Sequence, residues 1–227
     1  MITVHHLNNS RSHRVLWLLE ELGLPYEVVR YQRRPDMLAP PELKQVHPLG
    51  KSPVISDDGR VVAESGAIIE YLLERYGPTA KDGTPLVPPA GSEEKLRFTY
   101  WLHYAEGSAM PLLLLKLIFL RLPGSVPRLL RPVVRMVAAK VQQRLTDPQL
   151  ATALRWWADE LGQRGPWFAG AGFTAADIQM SFPVEAAATR VGIDDSHAPI
   201  RAWVAAIKAR PAYQRALETG GAMEIMK

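Results

Sequence analysis

The feature that most constrains this chain is where its two hydrophobic periods lie. Short segments rich in β-branched residues are confined to the first 63 of 227 residues. Beyond a proline-rich stretch at 77–91, the apolar residues recur with helical period and no segment reads as a strand. A chain patterned this way folds as a small α/β domain followed by an all-helical one. We expect the α/β domain over 1–77, a linker at 78–91 carrying Pro78, Pro85, Pro88 and Pro89, and the helical domain over 92–227.

In the first part, residues 2–6 read as a strand and 12–22 as an amphipathic helix. Val15, Leu16, Leu18, Leu19 and Leu22 form its apolar face, and Gly23 stops it. The turn before it offers Asn9, Ser10 and Ser12, small polar residues suited to capping orphan N–H groups. Residues 26–31 read as a second strand. Pro35, Pro40, Pro41 and Pro48 then break the chain into loop, with one helical turn at 42–46. Residues 53–56 and 61–63 flank an Asp-Gly turn and predict a hairpin. Ser65 is expected to cap a helix over 66–76, which Gly77-Pro78 ends. The order is βαβ, a loop, then ββα.

In the second part, Ser92, Glu93 and Glu94 open a helix that carries Phe98, Tyr100, Trp101 and Tyr104, and Pro111 is expected to bend or end it. A break follows at 123–127, then helices to 145, over 152–161, over 199–210 and from 211. Thr174-Ala175-Ala176-Asp177 has the form of a capping box, with Phe173 placed to staple onto Ile178. Residues 107–146 contain no acidic residue but include Lys116, Arg121, Arg128, Arg131, Arg135, Lys140 and Arg144.

Composition removes several function classes. The chain has no cysteine, so disulfides, thiolate metal sites and any mechanism needing a protein thiol are excluded. The net charge of +4 is modest, aromatics do not interleave with the basic residues, and no nucleotide-loop spacing occurs, so nucleic acid is not an expected partner. His5 and His6, adjacent on a strand, point to opposite faces without a ligand spacing around them, and no metal is expected. The start reads without a signal peptide, which makes the cytoplasm the expected compartment. The greasiest run, 112–122, is short and charged, so no membrane span is expected. The basic, apolar segment 107–146 suits peripheral contact with a membrane surface, an anionic hydrophobic ligand, or simply a helix hairpin with one solvated face.

Three stretches together resemble the glutathione transferase family. They are residues 10–21 (SRSHRVLWLLEE), 47–54 (HPLGKSPV) and 64–72 (ESGAIIEYL), and the capping box at 173–178 looks like the one that family keeps in its helical domain. The resemblance implies a thioredoxin-like N-terminal domain joined to an all-α domain, with glutathione as co-substrate. Physically, the Ser65 hydroxyl and the first N–H groups of its helix suit a carboxylate, and Glu64 suits an ammonium. The resemblance assigns both to the γ-glutamyl end of glutathione; the bland reading is an N-cap and a surface acid. By the same resemblance, Ser52 precedes a cis Pro53 and bonds the cysteinyl part through its backbone, and Lys51 reaches the glycyl carboxylate. A trans proline opening an edge strand and a solvated lysine are the plain alternatives.

Ser10 lies where serine-type members of the family carry the hydroxyl that holds the glutathione thiolate. A free thiol has a pKa near ~8.5, and each unit of lowering needs about 1.4 kcal/mol of preferential thiolate stabilisation. One hydroxyl hydrogen bond to an anion supplies roughly 1.5–3 kcal/mol, enough for one to two units. Asn9 and Ser12 flank it as substitutes, and a helix cap is the competing role. By resemblance the electrophile pocket lies between the domains, with Tyr100, Trp101, Tyr104, Met110 and Leu114 as candidates, although aromatics at helical spacing are more often core. The expected function is a cytoplasmic, homodimeric glutathione transferase of detoxification, conjugating hydrophobic electrophiles or reducing peroxides. The alternative is a non-catalytic ligand-binding or interaction protein on the same fold. An isomerase branch would show Ser-Ser-Cys where this chain has Asn9-Ser10-Arg11.

Overall fold

A computed structural model of the chain describes residues 1–222 and 225. The end of the expected helical domain at 223, 224, 226 and 227 lies outside the described residues. The N-terminal part holds β1 (Ile2–Leu7), α1 (Ser12–Leu22), β2 (Tyr26–Tyr31), a single turn α2 (Leu43–Val46), β3 (Val54–Asp57), β4 (Arg60–Ala63) and α3 (Ser65–Tyr76). The sheet order is β2-β1-β3-β4. β1 runs parallel to β2 and antiparallel to β3, which forms the hairpin with β4. That hairpin closes on Asp58 and Gly59, both at positive φ, as an Asp-Gly turn requires. This is the expected βαβ-ββα order.

The helical part contains α4 (Glu93–Tyr104), α5 (Met110–Arg121), α6 (Arg131–Val141), α7 (Asp147–Gln163), α8 (Ala175–Arg190), α9 (Ala198–Lys208) and α10 (Pro211–Gly220). Pro111 does not end the first of these. A π-turn at Ala105–Ala109 carries α4 directly into α5, with Pro111 in the first turn of the new segment, where its missing N–H costs nothing. The same device recurs at Gln142–Thr146, which joins α6 to α7 with Pro148 just after it. The separate helices expected to 145 and over 152–161 are therefore one continuous run.

The connection at 77–91 is pinned to both parts. Leu86 is fully buried, Lys81 N–H donates to the Glu21 carbonyl, and the Leu86 carbonyl accepts from Ala175 N–H. One core runs through the molecule, with α1 packed on α3, α8 and α10. Its polar centre is Asp177, the acid of the capping box. Its Oδ2 accepts from Thr174 N–H at 2.9 Å, and its Oδ1 from Phe168 N–H at 3.0 Å and Trp203 Nε1 at 2.9 Å. Phe173 and Ile178 are both buried beside it.

Candidate functional site

A cleft of about 200 Å³ opens between the α/β part and the π-turn. Its floor is built from the connection into β3 and the step from β4 into α3. Lys51, Ser52 and Pro53 form one side, with His47 and Leu49; Ala63, Glu64 and Ser65 form the next; Arg11 and Glu106 close the rim. The peptide bond Ser52–Pro53 is cis, as the resemblance implied. Ser52 Oγ donates to the His5 carbonyl at 3.0 Å, which ties this turn to β1. Glu64 is exposed at φ +72°, a left-handed conformation costly for a residue with a side chain. That turn brings its carboxylate and the start of α3 into one cleft. The five glutathione-binding residues expected from the sequence thus share one cavity.

Ser65 does not act as a side-chain cap for α3. Its buried hydroxyl accepts instead from Arg14 Nη1 at 3.2 Å, and the same nitrogen donates to Glu106 Oε1 at 2.6 Å. Arg11 Nε reaches that oxygen as well, at 2.9 Å. Two guanidiniums from α1 and the residue before it thus converge on one carboxylate from the helical part. Both also lie within cation–π distance of the Phe182 ring, at 5.3 and 5.5 Å from its centroid. Burial lowers the Arg14 pKa to about 10, so the side chain stays charged at neutral pH. Burial alone would raise the Glu106 pKa, but the two guanidiniums hold it below the usual carboxylate range. With arginines that remain protonated, the cluster carries one net positive charge. Arg14 Nε and Nη2 are buried without a partner.

Ser10 is buried and is not among the residues that line the cleft. Its Oγ accepts from Ser12 N–H at 3.2 Å and lies 2.7 Å from Ser12 Oγ. The direction of that contact follows from the next two links. His6 Nε2 is 2.9 Å from the Gly220 carbonyl, which can only accept, so Nε2 carries the proton. Burial pushes the His6 pKa down, so the ring is neutral and its Nδ1 accepts from Ser12 Oγ at 2.9 Å. Ser12 Oγ also lies 3.3 Å from the Leu7 carbonyl; with its proton given to His6 Nδ1 or to that carbonyl, Ser12 accepts from Ser10. The Ser10 hydroxyl therefore caps the first turn of α1 and donates away from the cleft.

The expected electrophile residues are not gathered at this cleft. Trp101 and Met110 lie in the core. Tyr100 and Tyr104 line a separate groove of about 530 Å³ with Leu112 and Trp156, between α4 and α7. Leu114 is half exposed on α5. Arg11 and Glu106 were not singled out from the sequence. Glu106 carried one signal, being the last acid before the acid-free run at 107–146.

Residues 1–74 match the family model for the glutathione S-transferase N-terminal domain. Glutathione S-transferase 3 of Schizosaccharomyces pombe is 36% identical over 96% of this chain and 87% of its own length. Glutathione S-transferase 1 of Saccharomyces cerevisiae is 31% identical over 98% and 97%. A crystal structure of a glutathione S-transferase from Actinobacillus pleuropneumoniae superposes with a TM-score of 0.80 at 32% identity, covering 99% of this chain and 95% of that one. The matched N-terminal domain, the near-full-length relatives and the shared architecture agree: the chain belongs to the glutathione S-transferase family.

Proposed function

We propose that the protein binds glutathione in the 200 Å³ cleft and transfers it, as a thiolate, to a hydrophobic electrophile. The observation that carries this reading is the meeting of Ser52-Pro53, Glu64-Ser65 and the positively charged start of α1 in one cavity. In this reading Glu64 takes the γ-glutamyl ammonium, and Ser65 with the N–H groups of α3 takes its carboxylate. The Ser52 backbone holds the cysteinyl unit and Lys51 the glycyl carboxylate. The thiol then faces the rim where Arg11 stands.

Arg11 supplies the charge that favours the thiolate, assisted by the N-terminal end of α1. Ser10 can contribute only after its hydroxyl turns away from Ser12. Each unit of thiol pKa needs about 1.4 kcal/mol, and a partly exposed guanidinium within a few ångströms supplies that. The half-exposed Leu114 and its neighbours on α5 are the candidate electrophile surface. Reduction of peroxides by the same thiolate is a further chemistry of this site. Homodimer assembly, a cytoplasmic location and a detoxifying role accompany this reading on the strength of the family alone.

The committed hydroxyl of Ser10 favours a second reading, a glutathione-binding protein without transferase chemistry. Titrating glutathione into wild type, Ser10→Ala and Arg11→Gln, and reading thiolate absorbance against pH, separates the two. We expect wild type to bind glutathione and lower its thiol pKa, Arg11→Gln to lose about one unit of that lowering, and Ser10→Ala to lose little. A bound thiol with its free-solution pKa in wild type selects the non-catalytic reading. Absence of glutathione binding removes both.

A further inference from the structure

The segment 107–146 carries seven Lys or Arg residues and no Asp or Glu. In the fold Arg121, Arg128, Arg135, Lys140 and Arg144 are exposed, as are many of their apolar neighbours. Lys116 is paired with Asp147, but Arg128, Arg135, Lys140 and Arg144 are exposed and make no ion pair among the described residues. Along α5 and the turn after it, Leu114, Leu115, Ile118 and Leu122 fall at i, i+1, i+4 and i+8, a single helical face, and each is exposed. Leu129, Val133, Met136 and Val137 form a matching stripe on α6 and the turn before it; Leu129 is 92% exposed and Met136 65%. The two helices pack together, so the stripes belong to one projecting hairpin.

Large aliphatic side chains on two helices, flanked by unpaired cations, need a partner that is apolar and anionic. We propose that this hairpin docks on an anionic lipid bilayer, its aliphatic stripes entering the headgroup–acyl boundary and its cations meeting lipid phosphates. Charge disfavours a second copy, because an isologous pairing of this face would set Arg128, Arg135, Lys140 and Arg144 against their own counterparts. Composition disfavours a folded protein partner, since 107–146 contains no Trp or Tyr, the usual anchors of such interfaces. The contact is peripheral: no helix among the described residues is long and apolar enough to cross a membrane. Leu114 follows Glu106 by eight residues on the same helical run, about 12 Å at 1.5 Å per residue. Docking would therefore bring the cleft near the lipid surface where hydrophobic electrophiles accumulate, a consequence that rests on the transferase reading.

The test is flotation of the full chain with vesicles of phosphatidylcholine alone or with one third phosphatidylserine, at low and high salt. We expect binding to the anionic vesicles only, weakened by salt. Arg135→Gln/Lys140→Gln/Arg144→Gln should lower partitioning roughly a hundredfold, at about fivefold per cation removed from the surface. Leu129→Ser/Met136→Ser should also release the protein while leaving glutathione affinity unchanged. Lack of binding to anionic vesicles overturns the proposal, as does binding that ignores the triple charge substitution. A shift from dimer to monomer in sedimentation velocity for Leu129→Ser/Met136→Ser also overturns it, because the face would then be a subunit interface. None of these readouts depends on transferase activity, so the proposal fails or stands separately from that reading.

Discussion

Arg14 and Glu106, 92 positions apart in the chain, meet through a 2.6 Å hydrogen bond that joins α1 to the π-turn of the helical part. Arg14 is fully buried, whereas the Glu106 side chain retains 30% exposure toward the cleft. The pair sets the relative position of Ser65, which Arg14 also holds, and Arg11, which Glu106 also holds. Glu106→Gln keeps the shape but removes the countercharge of a buried guanidinium. It should cost about 1–3 kcal/mol of stability and weaken glutathione binding at the same time. Urea unfolding and a glutathione titration check both. Unchanged stability would mean that Arg14 finds another countercharge.

The Ser10–Ser12–His6–Gly220 chain makes an unusual prediction. Ser12→Ala removes the acceptor toward which the Ser10 hydroxyl points, freeing that hydroxyl to turn into the cleft. The thiol of bound glutathione should then become more acidic by up to about one unit, although the protein itself loses about 1 kcal/mol. Thiolate absorbance against pH reads the first effect and chemical denaturation the second. A thiol pKa identical to wild type would show that Ser10 does not reach the sulfur even when released.

What the sequence disclosed follows the range of the interactions. The Asp58-Gly59 turn, the Gly23 stop and the capping box at Asp177 are local, and their residues announce them. The five residues expected to bind glutathione lie in two short stretches, each local in sequence, and the structure brings them into one cavity. The direction of the Ser10 hydroxyl was not legible, because it is fixed by Gly220, 214 residues from His6. Nor was the entry of Glu106, since a π-turn leaves no hydrophobic period that distinguishes it from an α-turn. Pro111 is expected to bend or end its helix; it does not end it, because a π-turn precedes it and places it in the first turn of α5.

Asp177 is fully buried, and the backbone of Thr174 and Phe168 and the Trp203 indole all donate to it. Asp177→Asn presents an NH₂ group to at least one donor and leaves it unsatisfied in the core. We expect a loss of about 2–4 kcal/mol, with Trp203→Phe costing less because it removes one donor and keeps the rest. Urea midpoints of the two variants give the comparison. Equal losses would place the energetic weight on the Trp203 bond rather than on the cap.

His13 should make the fold sensitive to mild acid. It is buried edge-on to Tyr213, its Nε2 has no partner, and burial, with the nearby His6 acting in the same direction, lowers its pKa to about 4. The unfolded chain protonates this ring near 6.5, so between pH 6.5 and 4 the unfolded state binds more protons and stability falls as the pH drops. Asp177 opposes this. Burial raises its pKa from 3.8 to about 6, so over that window the folded state binds the extra proton and this group favours the fold as the pH falls. The two effects partly cancel in the wild type, and a substitution is needed to expose either one. His13→Asn removes the first alone: the stability difference between wild type and variant should move by about 2 kcal/mol against wild type from pH 7.5 to pH 5. Urea midpoints at the two pH values measure it, and a difference that stays constant would mean that the folded protein protonates His13 as readily as the unfolded chain does.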